Sequence, residues 1–202
     1  MAHRREHRID EQWWKELSPE VVPHSVTNWQ LIETHISIIC LTGEWAYKFK
    51  KPVSFGFLDY STLERRKHFC QRELEINGRF SEALYDSVWA LCENRDGRLR
   101  LVENESSVCD GERVVEYAVR MRQFPADVLL SCQLKSGLEI KRMDDLAQSL
   151  AAMHGRLPTS SFSPDEFANV TRKWALKILN ICKCTLRTLV RFRSWRLGLT
   201  NN

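Results

Sequence analysis

Lys48 follows Ala46 by two positions in the segment Trp45-Ala46-Tyr47-Lys48-Phe49-Lys50-Lys51-Pro52. On a β-strand, residues two apart face the same side, so Ala46 and Lys48 point one way and Tyr47 the other. A small side chain beside a lysine is what a nucleotide pocket requires. The small residue leaves room for a base, and the ammonium reaches phosphate oxygens as a compact charge. Such a lysine needs a carboxylate to hold it, normally from the helix that follows the strand. Glu73 stands 25 residues on, deep in a helical stretch; Glu64 and Glu75 are alternatives. Without those partners the same lysine is a solvated charge on a hairpin. Lys50 shares the face of Lys48 and is the second candidate lysine, although Lys50 and Lys51 both read as solvated.

These residues must be positioned by a sheet and a helix. Val26 to Ser37 is mostly apolar and β-branched and reads as a strand, which Ile38 to Leu41 either continues or follows as a second one. Thr42-Gly43-Glu44 is a turn, and Trp45 to Lys51 a strand ended by Pro52. Ser54 to Asp59 reads as a loop. A helix then opens at Ser61-Thr62-Leu63-Glu64, with Asp59 or Ser61 as N-cap and Ser61 and Glu64 at capping-box spacing, and it stops near Asn77-Gly78. Val88 to Cys92 and Leu99 to Val102 read as strands around the turn Asn94-Arg95-Asp96-Gly97. Val114 to Met121 is another strand. Ala126 to Lys135 and Asp144 to Arg156 read as helices; Leu146, Leu150 and Met153-His154 share a face of the second. Trp13 and Trp14 are expected packing anchors in a polar N-terminal segment. The result is an α+β chain: an antiparallel sheet with one helix against it, then a helical region.

Composition is that of an ordinary globular protein, 43% hydrophobic and 28% charged over 202 residues. No apolar run approaches the roughly 20 residues of a membrane span. The N-terminus lacks the apolar core of a signal peptide, so the reading is cytoplasmic. The seven cysteines are odd in number and mostly scattered, which suits reduced thiols. Cys182-Lys183-Cys184 is the close-spaced pair, but zinc asks for four ligands and no second pair lies near it.

The net charge of +4 hides an asymmetry. From Val170 onward there are eight basic residues and no acid, leaving 22 basic against 26 acidic residues in the body. A frame-disrupted or truncated chain end accounts for this. So does a basic amphipathic helix, with Ile178, Cys182, Leu186 and Leu189-Val190 as its stripe, able to touch nucleic acid or an anionic membrane. The first account is preferred, so neither nucleic acid nor membrane is an expected partner.

Protein kinases carry Val-Ala-Ile-Lys on the strand in question, the pattern of Ala46-Tyr47-Lys48. Three segments together resemble the aminoglycoside phosphotransferase-like family: Thr34-His35-Ile36-Ser37, Leu41 to Pro52, and Gly56-Phe57-Leu58-Asp59-Tyr60-Ser61-Thr62-Leu63-Glu64-Arg65-Arg66. The nearer match is its uncharacterised bacterial branch, often fused to a C-terminal P-loop ATPase domain. Cys70 to Leu74, Glu116 to Pro125 and Leu146 to His154 resemble later pieces in order, so the likeness spans about residues 25–175.

The resemblance implies a kinase-like N-lobe and a small-molecule phosphotransferase using ATP and Mg2+, with an unspecified acceptor. It implies that Lys48 contacts the α- and β-phosphates and that Glu73 pairs with it. Thr34, His35 and Ser37 would belong to a cover over the phosphates, Ala46 to the base pocket, and Met121 and Arg122 to the hinge beside the adenine. Read from the residues alone, Met121 is core, Arg122 a surface charge and His35 a strand histidine. The family's His-Gly-Asp catalytic loop has no counterpart: His154-Gly155-Arg156-Leu157 carries Arg where the base would be, and no acid follows Glu166. No Gly-x-x-x-x-Gly-Lys-Ser/Thr run occurs either. The expected organisation is an extension over 1–24, an N-lobe over 25–125, part of a helical C-lobe over 126–175 and a basic tail over 176–202. Besides the enzyme reading, a nucleotide-binding module without catalysis and a binder acting through the tail fit the same residues.

Overall fold

The computed structural model describes residues 13–176 apart from Glu82, Leu138, Glu139 and Ser160, and no side chain of Ile140. Residues 1–12 and 177–202, including Cys182, Cys184 and nearly all of the proposed tail helix, lie outside the described residues. Two compact units form. One comprises the chain to Ser54 and Asp59–Arg156; the other comprises Phe55–Leu58 and the residues from Leu157 on.

The described residues form eight strands: β1 (Gln30–Glu33), β2 (Ser37–Leu41), β3 (Trp45–Lys50), β4 (Ser54–Phe55), β5 (Leu58–Asp59), β6 (Tyr85–Glu93), β7 (Leu99–Val102) and β8 (Arg113–Arg122). The short β4 and β5 pair with each other where a loop was expected. The other six make one antiparallel sheet, on which the first unit is built. Its spatial order is β1-β2-β3-β8-β6-β7, so β3 and β8 lie side by side at the centre. The long apolar stretch 26–37 is interrupted: β1 ends at Glu33, and β2 begins at Ser37. Thr34 makes that turn, its Oγ accepting from Ser37 N at 2.9 Å and donating to Ser37 O at 3.0 Å. Gly43 closes the β2–β3 turn at φ +99°, and a Cβ there would strike the Thr27 side chain.

Helix α1 (Leu63–Gly78) covers one side of the sheet. Its cap is Thr62, the last extended residue, whose Oγ accepts from Arg65 N at 3.3 Å. The cap is therefore neither Ser61 nor Asp59; Asp59 instead accepts from Ser61 N at 3.0 Å and fixes the approach to the helix. Beyond β8 come a single 3-10 turn, α2 (Leu130–Lys135) and α3 (Ile140–Arg156). In α3, Met153 is buried while Leu146 and Leu150 are exposed. In the second unit residues 164–176 are helical.

Two cores result from the alternation of the strands. On one, Trp13, Trp14, Ile38, Cys40, Tyr47, Phe49, Trp89 and Leu91 pack together. Both N-terminal tryptophans thus serve as anchors, Trp13 meeting Phe49 edge-on with ring centres 5.2 Å apart. The other core joins Cys70 of α1 to Ala90, Cys92, Tyr117 and Val119. Among the described residues all cysteines are free, and burial pushes the Cys40 and Cys70 thiols up to about 12, which makes them inert packing groups.

Candidate functional site

β3 delivers Ala46, Lys48 and Lys50 to the α1 side of the sheet, and α1 delivers Glu73 to meet the two lysines. Lys48 Nζ lies 2.7 Å from Glu73 Oε1, and Lys50 Nζ lies 2.6 Å from Glu73 Oε2. One carboxylate therefore binds two ammonium groups, one on each oxygen. The lysines differ in access: the Lys48 side chain keeps 28% of its exposure and Lys50 only 3%, with Glu73 at 11%. Lys50 also lies 5.1 Å from the centre of the Tyr60 ring.

The expectation that Lys50 and Lys51 are solvated is overturned. Lys50 is buried because α1 covers the end of β3, and its charge is met by Glu73. Lys51 reaches Glu33 at 2.6 Å and stands over the Trp14 ring. Glu64 and Glu75, the alternatives to Glu73, are not brought to the site. Glu75 binds Arg72 and Arg79 on the exposed side of α1, and Glu64 sits in its first turn.

Burial pushes the Glu73 carboxyl up, but Lys50 and Lys48 outweigh it and hold the group below the usual carboxylate range. Burial pulls the Lys50 ammonium down, and Glu73 outweighs that and raises it. Glu73 and Lys50 are therefore both held in their charged forms. Two positive charges against one negative leave the cluster at +1.

A second charged pair, which the sequence reading missed, supports this one from below. Arg66 Nε of α1 donates to both oxygens of Glu116 on β8, at 2.9 and 2.7 Å, and Arg66 Nη1 donates to Tyr60 O at 3.0 Å. Glu116 is fully buried and also accepts from Tyr117 N at 3.0 Å. Burial pushes its carboxyl up, and Arg66 pulls against that. The pair pins α1 to the sheet in a fixed position. A lone acid inside the apolar run Val114-Val115-Glu116-Tyr117-Ala118-Val119 was the signal for it.

The other expected site residues lie around the strand register. Ala46 pairs with Met121, and Lys48 with Val119. Ala46 is buried, and Met121 packs partly buried against the core beneath α1. Arg122, at the end of β8, is exposed; it binds Glu44 and lies 3.8 Å over the Trp45 ring. Ser37 pairs with Lys50 in the register, which sets the Thr34–Ser37 turn at the Lys50 end of β3. Ser37 is buried, whereas Thr34 and His35 are exposed. His154, Gly155 and Arg156 form the last turn of α3. Among the described residues no group of three or more His, Cys, Asp or Glu side chains is placed to hold a metal ion. No described helix is long and apolar enough to cross a membrane.

Curated proteins of Mycobacterium tuberculosis and Mycobacterium bovis, all described as uncharacterised, are similar to this chain: 29% identical over 157 residues, 75% of the chain. The match covers 28% of each relative, so the chain corresponds to about a quarter of their length. No family model matches the sequence, and no solved structure matches it.

Proposed function

We propose that this sheet and α1 form the nucleotide-binding lobe of a kinase-like protein related to the aminoglycoside phosphotransferases. Lys48 holds the α- and β-phosphates of ATP, and Glu73 orients Lys48. The carrying observation is the 2.7 Å contact between Lys48 on β3 and Glu73 on α1, with Ala46 buried beside it. A strand lysine held by a carboxylate from the next helix is the phosphate-positioning arrangement of such lobes. Ala46 and Met121, paired across β3 and β8, would border the adenine, with Arg122 at the hinge and Thr34, His35 and Ser37 in the phosphate cover.

ATP fits the residues present, since a lysine with an excess of positive charge around it suits polyphosphate. Magnesium does not fit them: the described residues offer no cluster of ligands for it. Transfer also needs a carboxylate to orient the acceptor hydroxyl, and Arg156 occupies the position where the family carries it. The proposed role of this chain is thus to bind nucleotide without transferring phosphate.

The test is ATP-dependent thermal stabilisation. The 202-residue chain is expected to gain several degrees in melting temperature at millimolar ATP, and Lys48→Ala to gain none. Absence of any ATP effect in the unsubstituted chain would sink the proposal. Phosphate transfer to any acceptor by this chain alone would overturn the binding-only role.

A further inference from the structure

Resting on the ATP-site reading, we infer that Lys50 is the resident counter-ion of Glu73, a positioning residue that leaves the charge of Lys48 free for an anionic ligand. The geometry separates the two lysines. Lys50 is almost sealed and holds Glu73 Oε2 at 2.6 Å. Lys48 holds the other oxygen at 2.7 Å and is the accessible one. If Glu73 had Lys48 as its only partner, a ligand drawing Lys48 away would strand a largely buried carboxylate, which is costly. With Lys50 in place, Lys48 moves to the ligand while Glu73 remains paired.

The charge count gives the same result. Lys48 and Glu73 alone would be neutral, and neutral clusters attract phosphate weakly. Lys50 makes the cluster +1. Tyr60, 5.1 Å from Lys50 Nζ, adds a ring face but no charge. The surplus therefore sits on the exposed lysine, where a polyphosphate would meet it. The ligand class that follows is an anion carrying more than one charge, and both ATP and inorganic tripolyphosphate qualify.

The experiment measures ATP and tripolyphosphate dissociation constants by titration calorimetry at low salt, with folding checked by circular dichroism. Lys50→Met keeps the Lys48–Glu73 pair but makes the cluster neutral; binding is expected to weaken about fivefold or more. Lys50→Arg keeps the cluster at +1 with Glu73 in place, and its affinity is expected to stay within about twofold of the unsubstituted chain. A role that rested only on the shape of the lysine side chain would fail in Lys50→Arg as it does in Lys50→Met. The inference is overturned if Lys50→Met binds like the unsubstituted chain, or if Lys50→Arg binds as weakly as Lys50→Met. Should Lys50→Met fail to fold, Lys50→Arg decides alone: near-normal binding supports the inference and loss of binding overturns it. If Lys48→Ala retains full affinity, the ATP site itself is wrong, an outcome distinct from Lys50 failing on its own.

Discussion

The two faces of the main sheet draw on alternate residues of β3, and they handle burial by different means. Tyr47 and Phe49 point into a core of Trp13, Trp14, Trp89 and Leu91. There the polar tip of Tyr47 meets His24 Nε2 at 3.1 Å and Trp89 Nε1 donates to Ser87 Oγ at 3.0 Å, while the ring faces and aliphatic side chains pack together. Lys48 and Lys50 point the other way, beneath α1, where their charges are compensated by Glu73 and where Arg66 and Glu116 form a second pair. The apolar face gains stability from area removed from water. The ion pairs beneath α1 add little net stability to the apolar core they sit beside, because desolvating ions offsets most of their attraction. What the charged face provides instead is a fixed arrangement with one unmatched positive charge. Aromatic packing and the proposed ligand site thus lie on opposite sides of one strand, six residues long.

The largest expected effect tests the apolar side. Phe49 is fully buried against Trp13. Phe49→Ala is expected to lower unfolding free energy by about 3–5 kcal/mol in urea titrations. That is a large part of the roughly 5–15 kcal/mol such domains possess. At a temperature where the variant remains folded, its ATP affinity should be close to normal. A Phe49→Ala protein that is fully folded yet has lost ATP binding would show that the two faces are not separable.

The next effect tests the charged side through pH. Glu73 titrates below its ordinary value of 4.5 in the folded chain. A depressed folded value means that the folded state binds fewer protons than the unfolded chain in that window. The stabilisation is therefore present above the unfolded value and disappears as pH falls through the folded one. Glu73→Gln, which strands Lys50, is expected to cost about 3 kcal/mol at neutral pH. The difference between the two proteins should shrink on acidification below about pH 4.5, because a protonated Glu73 carboxyl and the glutamine amide that replaces it are both neutral and of similar shape. Melting temperatures from about pH 3 to 7 read this directly, and parallel curves for the two proteins would remove Glu73 as an ionised partner.

How legible this division was in the sequence depended on range. The alternation of β3 follows from local periodicity; the carboxylate partner of Lys48 follows from what a phosphate-holding lysine requires of the next helix, and Glu73 lies where that logic puts it. Lys50 was misjudged because its burial depends on α1 crossing over the end of β3, a contact spanning 23 residues that no local pattern encodes. Arg66 and Glu116, 50 residues apart, were missed for the same reason, although a lone acid in an apolar strand carried a hint. Thr62 rather than Ser61 caps α1 because the backbone stays extended one residue longer, a matter settled by Asp59 bracing Ser61. Ser54–Phe55 and Leu58–Asp59 are two-residue strands, too short to show any period.

The smallest expected effect marks the edge of the comparison. Arg122 combines an ion pair with Glu44 and a position 3.8 Å over the Trp45 ring, beside Arg120, which lies between Trp45 and Trp89. Both partners of the ion pair are more than half exposed, with side-chain values of 51% and 62%. Water screens such a pair, and stacking on an accessible indole adds modestly. Arg122→Ala is expected to lower stability by no more than about 1 kcal/mol, and high salt should reduce the ion-pair share of that loss. ATP affinity is the sharper readout. If Arg122 stands at an adenine hinge, its contribution there is made by the backbone, since its side chain is turned to Glu44 and Trp45. The alanine variant should then bind ATP within about twofold of the unsubstituted chain. A loss of about tenfold or more would show that the guanidinium leaves Trp45 to join the ligand, and would extend the binding surface beyond the α1 side of the sheet.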